Sequence, residues 1–104
     1  MMKYRIRMTE KAEEQLRDLA FYIADNSGSV DVAIKYAEGI RAAIEQLAEF
    51  PHLGRIPKYS ILRRQGYRVL IVDKYMTFYK TDDEKKIVTI YAVISSRREY
   101  ERLL

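Results

Sequence analysis

Cysteine is absent from the 104 residues, which excludes disulfides and thiolate metal sites. The only histidine, His52, cannot hold a zinc ion by itself. It also sits in a proline loop, so no Ser–His–Asp set is expected. The four glycines, Gly28, Gly39, Gly54 and Gly66, are isolated, and no glycine-rich phosphate loop is present. No stretch approaches the ~20 apolar residues of a membrane helix. The opening "MMKYRIRMTE" alternates charge with apolar residues and lacks the apolar middle of a secretion signal. Carboxylates gather in the helical segments, where capping and pairing with Lys and Arg explain them, so a paired acid–base site is not expected. The expectation is a soluble cytoplasmic protein with no metal, no cofactor, no small-molecule substrate and no membrane attachment.

What is present suits one domain spanning residues 1–104, because a chain of this length buries roughly 65% of its unfolded surface. The formal charge is +4, with a pI near 9.3. Acids lead slightly in residues 1–50, and bases lead clearly in residues 51–104. A basic half favours an anionic partner such as RNA or an acidic peptide; a solvated surface explains it equally well.

Along the chain the hydrophobic period changes twice. Tyr4, Ile6 and Met8 alternate with Lys3, Arg5 and Arg7, a half-buried strand. Thr9 caps a helix whose stripe is Ala12, Leu16, Leu19, Ala20 and Ile23, ending at Gly28. A second helix begins near Asp31, with the stripe Ala33, Tyr36, Ala37, Ile40, Ile44 and Leu47, and Pro51 stops it. "FPHLGRIPKYS" at 50–60 is read as a loop. Three strands follow, one holding Tyr67, Val69 and Ile71, one holding Tyr75, Thr77 and Tyr79, and the apolar "IVTIYAVI" at 87–94. "DK" at 73–74 and "DDEKK" at 82–86 supply the turns. The fold class is therefore α+β: an N-terminal strand, an antiparallel two-helix hairpin, then a three-stranded antiparallel meander, with the helices on one face of the sheet.

Candidate chemistry rests on arginine, lysine and tyrosine. Arg63, Arg64 and Arg68 lie on or beside the first meander strand, and Arg97 and Arg98 follow the last. An antiparallel meander is expected to bring Arg64 or Arg68, Lys74, Tyr75, Arg97 and Tyr100 to one edge. Guanidinium groups gathered there bind phosphates bidentately and stabilise negative charge in phosphoryl transfer. Tyr4, Tyr22, Tyr36 and Tyr91 fall at core or core-edge spacing, so a packing role is expected for them.

Four stretches, "YRIRMTEKAEEQLRDLAFYI", "AIEQLAEFPHLGRIP", "YMTFYK" and "VTIYAVISSRREY", resemble in order and spacing the RelE/ParE superfamily of bacterial toxins from type II toxin–antitoxin systems. The resemblance covers nearly the whole chain, and "FPHLGR" and "SRREY" are its more specific parts. It implies a helical hairpin on a curved, mostly antiparallel sheet, and a cognate antitoxin that wraps and neutralises the protein. The ParE-like branch poisons DNA gyrase without a catalytic site. The RelE-like branch is an mRNA interferase that cleaves mRNA in the ribosome. For a RelE-like enzyme the resemblance points to Arg68, Arg97, Lys74 and Tyr100 as catalytic. For partner or nucleic-acid binding it points to Arg63, Arg64, Arg97, Arg98 and Tyr75. The RelE-like pattern has arginine after the tyrosine opening the penultimate strand, whereas Met76 follows Tyr75 here, and Tyr100 is out of step with its terminal tyrosine. The ParE-like outline is favoured. A ribosome-dependent endoribonuclease and a non-toxic antitoxin-binding module are the alternatives.

Overall fold

The computed structural model describes residues 3–95. Strand β1 (Arg5–Met8) runs into helix α1 (Glu10–Ser27), and helix α2 (Val30–Glu45) follows directly. Both helix starts are capped by the hydroxyls their sequence offers. Thr9 accepts from the Ala12 N–H and Ser29 from the Val32 N–H. Gly28 closes α1 in the left-handed region, at φ 69°. A 3-10 turn (Gln46–Ala48) ends the hairpin before Pro51. Among the described residues no helix is long and apolar enough to cross a membrane.

Helix α3 (Ser60–Arg64) precedes strands β2 (Arg68–Val72), β3 (Tyr75–Asp82) and β4 (Ile87–Ile94). The three form the expected antiparallel meander, and β1 adds beside β4 in parallel, giving the order β1-β4-β3-β2. The two tight turns contain no glycine. Asp73 (φ 55°) and Lys86 (φ 58°) take the left-handed conformation instead, which Asp tolerates better than most residues.

Most of the helix stripes anticipated from spacing enter the core, but Tyr36 is exposed and Ala20 and Ala37 are only half-buried. Ala12, Leu16, Leu19 and Ile23 of α1, and Ala33, Ile40 and Ile44 of α2, are buried with Leu47 against Leu70, Tyr75, Tyr79, Val88, Ile90 and Val93 of the sheet. The opposite face is partly covered as well. Leu62 of α3 packs there on Val69, Phe78, Ala92 and Ile94, a second small core the sequence reading did not foresee. A bulge makes both cores possible. Phe78 pairs with Ala92 but Tyr79 pairs with Ile90, so Tyr91 is an extra residue on β4. Ile90 therefore faces the helix hairpin while Ala92, two residues on, faces α3.

The segment read as a plain loop is fastened to the sheet. Arg55 and Val69 exchange both backbone hydrogen bonds, at 2.8 and 2.9 Å. The Gly54 N–H donates to the buried Tyr79 hydroxyl at 2.8 Å. A Cβ on Gly54 would lie 2.6 Å from that oxygen and 2.9 Å from the Val69 carbonyl oxygen, so only glycine fits. "FPHLGR" is thus a fastening for the sheet edge.

Candidate functional site

Of the anticipated rim, Arg68 and Lys74 do not meet. The β2–β3 turn reverses the chain at Asp73–Lys74, so Arg68 and Lys74 lie at opposite ends of β2. Four residues of strand at about 3.3 Å each already separate Arg68 from Val72. Arg68 is also engaged, because its Nη1 donates to the carbonyls of His52 (3.3 Å) and Gly54 (3.0 Å). Arg63 bends back within its own segment and donates to the carbonyls of Pro57 (3.1 Å) and Lys58. Arg64 is exposed in the last turn of α3, where its charge suits the negative end of the helix. Arg97, Arg98 and Tyr100 lie outside the described residues.

Lys74 and Tyr75 do converge with the end of β4. Met76 pairs with Ile94, which brings Ser95 beside the β2–β3 turn. There a cleft of about 510 Å³ opens between the sheet end and the helix hairpin, lined by Tyr22, Val32, Tyr36, Lys74, Tyr75 and Ser95 among others. Tyr75 forms its floor, only 4% exposed. Its ring meets that of Tyr36 edge-on, with centroids 6.0 Å apart. Burial raises the Tyr75 phenol above its ordinary pKa, with smaller contributions from Tyr36, Asp73 and Tyr22, so it stays protonated and a hydrogen-bond donor at neutral pH. Tyr22 corrects the sequence reading. Its spacing reads as core or core edge, but it is 63% exposed, because Leu19 and Ile23 take the buried stripe and turn it to the flank. Phe21 beside it is also exposed. An aromatic wall with one lysine binds an apolar segment and favours one that carries negative charge.

The face of β1, β4 and β3 opposite the helix hairpin differs in character. Ile6 and Met8 face the helix hairpin, so Arg5 and Arg7 face the other way. Arg7 pairs with Thr89 and Thr89 with Lys80, which sets Arg7 and Lys80 in one row across three strands. Lys80 Nζ stands 4.5 Å from the centroid of the Tyr67 ring and 5.4 Å from that of Tyr91. The two rings meet edge-on at 5.6 Å. Burial, with Tyr91 adding to it, raises the Tyr67 phenol above its ordinary pKa. Sequence reasoning overlooked this face. The signal was the Arg5/Arg7 alternation, whose side was known but whose neighbouring strand was not.

At the far end of this face a polar latch joins three segments. The Tyr4 hydroxyl donates to Asp83 Oδ1 at 2.6 Å, and His52 Nε2 stands 3.2 Å from the same oxygen. The Tyr4 bond is the main cause that lowers the Asp83 carboxyl, and it raises the Tyr4 phenol in turn. Among the described residues no group of three or more His, Asp or Glu side chains is placed to hold a metal ion.

Comparison with known proteins agrees with this architecture. Residues 6–100 match the family model described as the ParE toxin of the type II toxin–antitoxin system parDE. Toxin ParE1 of Caulobacter vibrioides is 30% identical over 84 residues, covering 81% of this chain and 83% of the relative. A structure of the chromosomal ParDE system of P. aeruginosa superposes with a TM-score of 0.74 at 16% identity, covering 91% of this chain and 98% of that one. The E. coli toxin RelE, solved as a mutant in the free state, superposes with a TM-score of 0.64 at 16% identity, covering 99% and 100%. These two likenesses concern the fold. With the family model spanning almost the whole sequence and a curated relative at this identity, the chain belongs to the ParE toxin family of type II toxin–antitoxin systems.

Proposed function

We propose that this toxin arrests growth from the cytoplasm by poisoning DNA gyrase, and that a cognate antitoxin neutralises it. The observation that carries the gyrase reading is the state of Arg68. Its Nη1 donates to two main-chain carbonyls of the 50–54 segment, so it acts as a strut and is poorly placed to neutralise a reacting phosphate. Met76 stands where a RelE-like nuclease carries its next arginine. The family match to ParE supports the same side. For the antitoxin, the aromatic cleft at Tyr22, Tyr36, Lys74 and Tyr75 is the proposed seat of an amphipathic acidic segment.

The test adds purified toxin to gyrase supercoiling and cleavage reactions. Loss of supercoiling with accumulation of gyrase-bound DNA breaks is expected. Full supercoiling with no trapped breaks, at toxin concentrations that arrest growth, removes the gyrase reading. In that case ribosome-dependent mRNA cleavage, with Arg97, Lys74 and Tyr100 assisting, becomes the working account. Toxicity that survives Arg97→Ala in a folded protein counts against that account in turn.

A further inference from the structure

We infer that the face of β1, β4 and β3 opposite the helix hairpin, beside the part that α3 covers, is a binding site for the phosphodiester backbone of DNA, built on Arg7 and Lys80. The placement of charge carries this. Arg7, Thr89 and Lys80 form one row across adjacent strands. At the ~4.8 Å spacing of neighbouring strands, the two cations start about 10 Å apart, with a hydroxyl between them. Arg5 stands two residues from Arg7 on the same side. Among the described residues neither arginine nor Lys80 has an ion-pair partner. Lys80 is held in place by the faces of Tyr67 and Tyr91, so less of its rotamer freedom is lost on meeting an anion. A cleft of about 580 Å³ lies over the row. A second, of about 270 Å³, continues past Tyr67 and Tyr91 to Lys11 and Gln65.

Three carboxylates, Asp82, Asp83 and Glu84, line the larger cleft, with Lys85 beside them. Asp82 Oδ1 accepts from the N–H groups of Glu84 and Lys85, and Asp83 Oδ1 accepts from Tyr4 and pairs with His52. These carboxylates disfavour an anion at their end of the larger cleft, whereas among the described residues no acid lines the smaller one. Beyond that acidic end the Arg7–Lys80 row offers two cations with aromatic edges, which is the chemistry of sequence-independent nucleic-acid backbone binding.

The site goes beyond the gyrase reading, and its test requires no gyrase. The choice of DNA over RNA rests on that reading, as does the consequence that the toxin would grip DNA held by the enzyme as well as the enzyme itself. The test is fluorescence anisotropy of a labelled DNA strand of about 20 nucleotides, longer than one protein site. Duplex DNA and RNA of the same sequence run alongside, at about 50 and 200 mM salt. Wild type is expected to bind DNA at the lower salt and to weaken at the higher. Arg7→Gln with Lys80→Gln should weaken binding at least tenfold and flatten the salt slope by about 1.4 for a single strand, two contacts at ~0.7 each. Lys35→Gln on α2 should change neither. Arg7→Gln alone, on an exposed side chain, should cost at least threefold and keeps the test decisive if the double variant unfolds. No DNA binding at 50 mM salt, equal binding by folded Arg7→Gln, or RNA binding tenfold tighter than DNA overturns the assignment.

Discussion

Replacing Gly54 by alanine should cost this toxin a large part of its stability, although the change adds one methyl group. The added carbon would lie 2.6 Å from Tyr79 Oη, 2.7 Å from Tyr79 Cε1 and 2.9 Å from the Val69 carbonyl oxygen. None of these atoms can step aside. Tyr79 is fully buried in the main core, and the Val69 carbonyl already accepts the Arg55 N–H. The segment must lift instead. Lifting loses the Gly54–Tyr79 bond, strains the Arg55–Val69 pair and pulls two carbonyls from Arg68. Overpacking costs about 1–3 kcal/mol, and each lost hydrogen bond about 1 kcal/mol. A total near 3 kcal/mol follows, and at ~4–8 °C per kcal/mol it lowers Tm by roughly 12–24 °C. Tyr79→Phe leaves the ring in place but strips the Gly54 N–H of its acceptor, for about 1–3 kcal/mol. Combining the two should be less than additive, since removing the oxygen removes the closest clash while the Cε1 contact remains. The assay is thermal and urea unfolding followed by circular dichroism. A Gly54→Ala protein that melts within about 2 °C of wild type would refute the fastening role of this segment.

Three further outcomes follow from the buried and latched polar groups. Thr77 is fully buried and its Oγ1 has no hydrogen-bond partner among the described residues, so Thr77→Val should be neutral or stabilising by up to about 1 kcal/mol; a clear drop in the urea midpoint would contradict it. Gln15 of α1 accepts the Val93 N–H through Oε1 at 2.9 Å, just past the β4 bulge, so Gln15→Leu should cost about 1–2 kcal/mol by the same urea assay, and no loss would mean the bond is dispensable. The latch makes stability pH-dependent at both extremes. The folded Asp83 carboxyl lies below its unfolded 3.8, so its contribution is complete above that value and fades as pH falls through the folded pKa. The folded Tyr4 phenol lies above 10.0, so its contribution holds below 10.0 and fades as pH rises through the folded pKa. Tyr4→Phe should flatten both limbs of the Tm–pH curve, and an unchanged curve would show the latch to be inert.

Helices α1 and α2 and the meander were legible in the sequence because their periods are strong and their ends explicit, as at Thr9 and Gly28; the Ser29 cap of α2 came only with the structure. Strand β1 was recognisable, but its place beside β4 was not, since nothing local in "RIRM" names a distant parallel partner. The same gap hid the Arg7–Thr89–Lys80 row. Helix α3 escaped because "SILRR" is a single turn and a half with no side-chain cap. Tyr22 was misassigned because a position one step from the buried stripe reads as its margin. Arg68 and Lys74 stay apart for a geometric reason. An antiparallel meander is expected to turn both to one edge, whereas β2 lies between them, and the carbonyls that occupy Arg68 belong to a segment that reads as a loop.

The most direct measurement induces the toxin in growing cells and, in the same culture, quantifies gyrase covalently trapped on DNA and maps newly formed mRNA 5′ ends. The gyrase account predicts a rise in trapped gyrase before growth stops, with the mRNA ends unchanged. Arrest accompanied by new codon-phased mRNA ends and no trapped gyrase would contradict it.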